Sequence, residues 1–157
     1  MKLNSVECDL SILENLIKKL NTKKFVDVGI LKDANYPDEK GTSVLLVGAT
    51  HEFGSIDGNI PERSFIRMPL ETGQKEIEKK LAPKMQGFLD KQDVDGFLKI
   101  LGIECEARIQ DAFDTGGFGT WQALDPKTVR AKGGSTAILI KQPVILRKSI
   151  TSQVGGG

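Results

Sequence analysis

Two stretches of this chain place apolar residues three or four positions apart, which is the spacing of one face of an α-helix. The later stretch begins after Pro69 and ends at Thr115, with a polar joint at Asp90 to Asp93. Pro83 lies inside it and is expected to kink or divide the helix, because proline lacks a backbone donor. The earlier stretch predicts an amphipathic helix that packs on a sheet or a neighbour; it consists of Leu3, Val6, Leu10, Leu13, Ile17 and Leu20.

The apolar spacing changes to every second residue over Phe25 to Leu31, which predicts a β-strand. A weaker alternation over Leu146 to Val154 predicts a closing strand. The segment from Thr136 to Ile140 fits either a strand or a buried apolar run.

Shorter elements are bounded by capping and turn residues. A helix that begins near Thr42 or Ser43 and closes at Gly54 is expected, with a strand over Val44 to Val47 as the alternative. Asp125 and Pro126 predict the start of a helical turn that reaches Lys132. Long loops are expected between these elements, over residues 33–42, 55–61 and 118–134. We expect one domain over residues 1–154 and a flexible glycine tail over 155–157.

Composition limits the classes of function. The chain has 157 residues, and 22 basic against 21 acidic residues give a net charge of +1. That balance argues against a protein that mainly grips nucleic acid or an anionic membrane, although a local basic patch remains compatible with it. Cys8 and Cys105 are isolated and are expected to be small buried side chains rather than a disulfide framework. We find neither a membrane span nor a signal peptide, so synthesis in a reducing cytoplasm is expected.

Residue patterns for catalysis or cofactor binding are weak. His51 is the single histidine, and Ser55 stands where a zinc-protease helix would need a second one. The glycines at 116–119 and 133–134 lack the order of a phosphate-binding loop, and Asp93 to Gly96 lacks most ligands of a calcium loop. We therefore expect no enzyme activity, no cofactor and no metal.

The most specific stretch is His51-Glu52-Phe53-Gly54 followed by the run from Ile60 to Arg67. It resembles the "EFG … IPxRxFxR" pattern of tail-completion and virion-morphogenesis proteins of tailed bacteriophages. Val28-Gly29-Ile30 is similar to the strand that precedes this pattern in the family. The segment from Trp121 to Lys132 resembles "W-x-x-L-x-x-x-T … K", and Leu146 to Ile150 resembles "LxxSI". Ser64 stands in place of the family's proline, and Gln142-Pro143 replaces its Thr-Gly.

The resemblance implies an α+β fold, in which a small mixed or antiparallel sheet packs against several amphipathic helices with long loops. It also implies a structural virion protein that acts in tail completion or head–tail joining. The expected partners are other copies of the chain in a ring, with a hexamer as one candidate, and other phage tail or neck proteins. The expected location is the tail or neck of the virion, and the host cytoplasm during assembly. No membrane partner is expected, and DNA contact is not predicted. A nucleic-acid-binding adaptor or a small cytoplasmic interaction module is the alternative.

Pro61 favours an extended backbone at Ile60, and the side chains around it include aromatic residues and arginines that often anchor interfaces. This segment therefore either docks on a neighbouring subunit or is an internal connector with Phe65 in the core. For Glu52, a salt bridge to Arg63 or Arg67 and a contact across an interface remain open. The candidate interface residues are Glu52, Phe53, Ile60, Pro61, Arg63, Phe65, Arg67 and Trp121.

Overall fold

The computed structural model describes residues 14, 17–18, 21, 23–37, 40–139 and 144–156. Its elements follow the order β1, α1 to α5, β2. Their bounds are β1 Lys24–Ile30, α1 Val44–Phe53, α2 Arg67–Lys91, α3 Val94–Thr115, α4 Pro126–Ala131, α5 Ile145–Lys148 and β2 Ile150–Gly156. Most of the predicted helix over residues 3–20 lies outside the described residues, although Glu14, Ile17 and Lys18 are helical. The predicted α+β class is confirmed.

The sheet consists of β1 and β2, which pair antiparallel from Lys24 opposite Gly156 to Ile30 opposite Ile150. One face of the sheet packs against α3. The approach is close at Gly102, where a Cβ atom would lie 2.7 Å from Cβ of Ser152 and 3.1 Å from Cγ2 of Val26. A glycine at this helix position therefore sets the distance between the helix and the sheet.

Helices α2 and α3 form an antiparallel hairpin. Glu104 on α3 binds Lys80 and Lys84, which lie on either side of Pro83. The prediction that Pro83 divides the helix is wrong, because α2 is continuous through it. α2 therefore has contacts with α3 on both sides of the position where the proline removes a backbone hydrogen bond.

Capping side chains begin and end the helices where the sequence predicts. Ser43 Oγ accepts a hydrogen bond from Leu46 N at 3.1 Å and starts α1, which ends at Gly54. The alternative of a strand over Val44 to Val47 is thereby excluded. Asp93 caps α3 through Gly96 N at 2.9 Å, and Asp125 caps α4 through Lys127 N at 2.7 Å. These local signals needed no tertiary contact to be recognised.

The core lies where α1, α3, the 61–66 segment and the beginning of β2 meet. Ring contacts connect its aromatic members, with centroids 5.2 Å apart for Phe65 and Phe113 and 6.0 Å apart for Phe113 and Trp121. The buried apolar cluster comprises Val44, Phe65, Ile109, Ala112, Phe113, Trp121, Leu146 and Ile150. The cluster therefore contains residues that precede the 118–134 loop in the sequence and residues that follow it.

Three details at the end of the chain differ from the sequence-based expectations. Residues Ile145–Lys148 form a short helix, so the closing strand begins at Ile150 and not at Leu146. This turn buries both Leu146 and Ile150 and lets Arg147 pair with Asp114 at 2.6 Å. Gly155 and Gly156 belong to β2 rather than to a flexible tail, and Gly157 lies outside the described residues.

Residues Thr136 to Leu139, where a strand was one alternative, contain no strand, and Ile140 lies outside the described residues. Cys105 lies on α3, is half-buried and free, as expected of a small packed side chain. Cys8 lies outside the described residues. Among the described helices, none combines the length and apolar character that a membrane span requires.

We predict that Gly102→Ala lowers the free energy of unfolding by about 1–3 kcal/mol, because the added methyl group would overlap Ser152. The matched control is Gly87→Ala on α2, where an added Cβ meets nothing within 4 Å. This control should raise the free energy of unfolding by about 0.5–1 kcal/mol through helix propensity. Urea titration followed by circular dichroism measures both. Equal stabilisation of the two variants would contradict the close packing of α3 on the sheet.

Candidate functional site at the joint between two helices

The segments His51 to Gly54 and Ile60 to Arg67 meet where α1 ends and α2 begins. Glu52 stands in the last turn of α1, and its side chain is 6% exposed. Its carboxylate accepts four hydrogen bonds from the next segment. The donors are Ser64 Oγ at 2.7 Å, Phe65 N at 2.8 Å, Ile66 N at 2.9 Å and Arg67 N at 2.9 Å. Glu52 is therefore a long-range cap for the first turn of α2.

A cap of this kind satisfies two needs of a helix start. The first N–H groups of a helix have no partner within the helix, and the helix dipole places partial positive charge there. Ser64 completes the arrangement, since its Oγ accepts from Met68 N at 3.0 Å while it donates to Glu52. The carboxylate is buried among donors, which is the condition under which a buried charge is tolerated.

Gly54 completes the exit from α1. Its φ is +73°, which favours glycine, and a Cβ atom would lie 2.9 Å from Glu62 N. The chain then returns beside α1 through the paired residues Ser55 and Ile60, and Arg63 N donates to His51 O at 2.8 Å. The Glu-Phe-Gly and Ile-Pro-x-Arg patterns are thus two halves of one turn.

Trp121 and Arg63 connect this joint to the loop after α3. The indole Nε1 of Trp121 donates to Ser64 O at 3.3 Å. Arg63 donates to Gln122 O through Nε and Nη2, both at 3.3 Å. Within the described residues, no carboxylate lies within salt-bridge distance of Arg63. Arg63 as a whole is 6% exposed, so its side chain links two segments of the same protomer.

Four of the eight candidate interface residues are therefore internal. Glu52, Arg63, Phe65 and Trp121 are at most 8% exposed, so the chain itself covers these residues in the protomer. The connector alternative, with Phe65 in the core, describes this segment. For Glu52, the alternative of a salt bridge to Arg63 or Arg67 is wrong, because its oxygens bind backbone N–H groups and Ser64.

The other four candidates reach the surface. The side chain of Phe53 is 70% exposed, and Ile60 and Pro61 are half-buried. The side chain of Arg67 is 51% exposed and pairs with Glu62 at 2.6 Å. These residues remain accessible to a partner.

An open cleft of about 1470 Å³ lies beside the joint, between the end of α1, the 54–63 loop and the 122–132 segment. His51, Arg63 and Lys132 line it, and so do the acidic residues Asp57, Glu62 and Asp125. The basic side chains of this cleft thus share it with carboxylates. In the described ranges, no three His, Cys, Asp or Glu side chains converge as a metal ion requires.

His51 faces this cleft without a hydrogen-bond partner for its buried Nδ1. Burial lowers the pKa of His51, and the positive charge of Arg63 lowers it further. The imidazole is therefore held neutral. A catalytic histidine needs an orienting acid at one nitrogen, and no described residue supplies it at Nδ1.

The exposure of one group of apolar residues on and beside α1 was not predicted from the sequence. Leu45, Leu46, Phe53 and Ile56 are 49%, 64%, 70% and 99% exposed. The signal was present in the sequence of the helix, VLLVGATHEF, which has apolar residues on every side. A helix that is apolar all round is normally covered on all sides.

No protein-family model, curated protein or solved structure matches the chain.

We predict that Glu52→Gln lowers the free energy of unfolding by about 2–4 kcal/mol. A glutamine has one acceptor oxygen in place of two, so part of the four-donor set would lose its partner inside the protein. Urea unfolding measures the change. Glu62→Gln is the control, because the exposed pair with Arg67 should contribute no more than about 1 kcal/mol. An equal effect of the two substitutions would contradict the capping role.

We predict that the free energy of unfolding decreases as the pH falls from about 7.5 to 5.5. The pKa of His51 is lower in the folded than in the unfolded state, so the unfolded state binds the proton first. His51→Gln should remove this part of the pH dependence in urea titrations. The carboxyls of Asp33, Glu104 and Asp114, whose pKa values are also lowered, titrate below this window. A pH dependence that persists in the variant would contradict the assignment.

Proposed function

We propose that this chain is a structural virion protein of a tailed phage, which acts in tail completion or head–tail joining as a ring-forming homo-oligomer. The proposal assigns it a place in the tail or neck and a role in contacts with other tail or neck proteins. It assigns no catalytic step to the chain.

The main support for the proposal is that the segments whose patterns resemble the phage family lie close together in the folded chain. Glu52 and the 64–67 segment form one hydrogen-bonded unit. Trp121, far along the chain, donates to Ser64 in the same unit. Leu146, from the "LxxSI" segment, is buried in the same core cluster as Phe65 and Trp121. The segments thus belong to one packed unit, as a shared architecture requires.

The exposed apolar side chains around α1 give separate support. Ile56 is 99% exposed, and Phe53 is 70% exposed. Contiguous apolar surface on a small protein commonly marks a place where another protein binds. A chain that works as one member of an assembly is expected to carry such a surface.

The nucleic-acid-binding alternative receives less support. A base-stacking platform needs an accessible aromatic ring, and Trp121 is 8% exposed. The basic residues nearby share the cleft with Asp57, Glu62 and Asp125, which repel a phosphate backbone. A small interaction module unrelated to phages is compatible with the same exposed side chains, and it differs from the proposal in having no place in a virion.

The proposal predicts closed rings of the purified protein in negative-stain electron microscopy, and the same protein in purified particles by immunogold labelling at the neck or tail. Light scattering over a range of concentrations gives the mass of the assembly against the 17.1 kDa chain. A monomer at every concentration, together with no label on particles, would contradict the proposal.

A genetic experiment tests whether the chain is required for joining heads to tails or for completing tails, and not only present in the particle. Infections with a phage that lacks the chain should accumulate unjoined heads and tails or incomplete tails. Complementation with the wild-type chain should restore particles, and so should complementation with Glu62→Gln, which changes only an exposed ion pair. Normal infectious particles without any copy of the chain would exclude a required role in assembly.

A further inference from the structure

The cleft beside the joint contains a buried cation that the protein leaves without a counter-ion. Arg63 lines the cleft and is 6% exposed, and no carboxylate of the described ranges lies within salt-bridge distance of it. It donates to the neutral oxygen Gln122 O at 3.3 Å, whereas hydrogen bonds between charged partners are about 2.7–2.9 Å long. Burial lowers the pKa of Arg63, because it disfavours the positive charge. A buried charge of this kind is stabilised by an anion from outside the chain.

Two further basic side chains line the same cleft. Lys132 Nζ donates to the neutral carbonyl oxygen of Ala137, and Lys132 forms no salt bridge with a described residue. Burial lowers the pKa of Lys132, and the positive charge of Arg63 lowers it further. The same two causes lower the pKa of His51, whose buried Nδ1 has no hydrogen-bond partner. The charge of Arg63 thus acts on both neighbours, and an anion among the three groups would offset this repulsion.

The acidic residues of the cleft are engaged elsewhere or exposed. Glu62 pairs with Arg67 at 2.6 Å, and the carboxylate of Asp125 accepts a backbone N–H at 2.7 Å at the start of α4. Asp57 is exposed and, like the other two, forms no salt bridge with the basic residues of the cleft. The three acids nevertheless reduce the net positive charge of the cleft. A single anionic group that reaches Arg63 is therefore favoured over a chain of phosphates, which would pass all of them.

Exposed apolar side chains line the cleft together with the basic ones. Phe53 is 70% exposed and Ile56 is 99% exposed, and Ile60 and Pro61 are half-buried. The volume of about 1470 Å³ exceeds that of a small ion, so it leaves room for an organic group. Sites for organic ligands commonly combine an apolar lining with a few polar groups that fix the orientation of the ligand.

We propose that this cleft binds a carboxylate attached to an apolar group, with Arg63 and Lys132 as its cationic partners and with Phe53 and Ile56 in contact with the apolar group. The same chemistry is offered by a small organic acid and by an acidic residue next to an apolar one in another polypeptide. The site goes beyond the virion function proposed above and does not depend on it.

Two matched pairs of ligands test the site and distinguish the two sources. Phenylacetate is compared with phenylacetamide, and N-acetyl-phenylalanyl-glutamyl-amide with N-acetyl-phenylalanyl-glutaminyl-amide, each by NMR titration of the full chain. Each acid should bind at least about 10-fold more tightly than its amide, because only the acid forms charge-assisted hydrogen bonds. The acid that binds more tightly identifies the source, a small acid or a polypeptide. Equal binding of acid and amide in both pairs, or binding of none of the four, overturns the proposal.

His51 reports on the site, because the chain contains one histidine and its imidazole resonances are therefore unambiguous. A carboxylate bound at Arg63 offsets the charge that lowers the pKa of His51, so the saturating acid should raise this pKa and the amide should not. The other titratable groups that line the cleft are the same in both titrations; they are Tyr36, Asp57, Glu62, Asp125 and Lys132. A His51 pKa that is unchanged at saturation with the acid would place the ligand elsewhere.

Substitutions assign the cationic partners. Lys132→Gln should raise the dissociation constant of the acid by about 3–10-fold, and Arg63→Lys by about 10-fold or more, because lysine lacks the planar fork of arginine. Lys127→Gln and Arg130→Gln are the matched controls, since these exposed cations on α4 do not line the cleft. They should leave the dissociation constant unchanged. Urea midpoints establish which variants are folded, and Lys132→Gln decides alone if Arg63→Lys does not fold.

Two further outcomes overturn the proposal. In the first, Lys132→Gln binds the acid as the two control variants do. In the second, inorganic phosphate binds more tightly than both carboxylates, which would assign the site to another anion. The virion function is tested separately by closed rings and by labelling of particles, so its failure and the failure of the carboxylate site are distinguishable.

Discussion

The carboxylate of Glu52 organises the part of the molecule on which the other elements converge. One buried side chain accepts from Ser64 and from three successive backbone N–H groups, and so fixes the start of α2 against the end of α1. These hydrogen bonds fix the end of the 61–66 connector, whose Phe65 is buried in the core. Trp121 and Arg63 fasten the loop after α3 to this connector through backbone oxygens. Without this cap, the end of α1 would lose the hydrogen bonds that connect it to the connector and to the start of α2.

This arrangement gives a physical meaning to the pattern that resembles the phage family. Glutamate supplies the two acceptor oxygens, and the following glycine permits the turn at a φ of +73°. Arg63 and Trp121 supply donors that reach backbone oxygens across the joint. Residue types that suggest an interface in a linear sequence here maintain the protomer. The exposed apolar residues, such as Leu46 and Ile56, belong to none of these patterns.

Local signals in the sequence were sufficient for much of the fold. Ser43, Asp93 and Asp125 mark helix starts through hydrogen bonds to residues two or three positions ahead, and the alternation in β1 reports a sheet with one packed face. The role of Glu52 could not be predicted in this way, because its partners lie 12 to 15 positions ahead. The continuity of α2 at Pro83 depends on α3, and the pairing of Gly155 with Phe25 depends on the opposite end of the chain. Both are tertiary effects that override local preference.

The pairing of β1 with β2 has a consequence for the order of folding. Lys24 pairs with Gly156, so the sheet joins the first and the last of the described regular elements. Contacts between residues so distant along the chain carry a large loop-closure cost and form late, whereas the α2–α3 hairpin consists of neighbours in sequence. During synthesis, the helical hairpin can therefore form while β1 still has an open edge. Until β2 is synthesised, the apolar face of β1 and Gly102 of α3 remain uncovered. Such an intermediate exposes apolar surface and an unpaired strand edge, both of which favour aggregation.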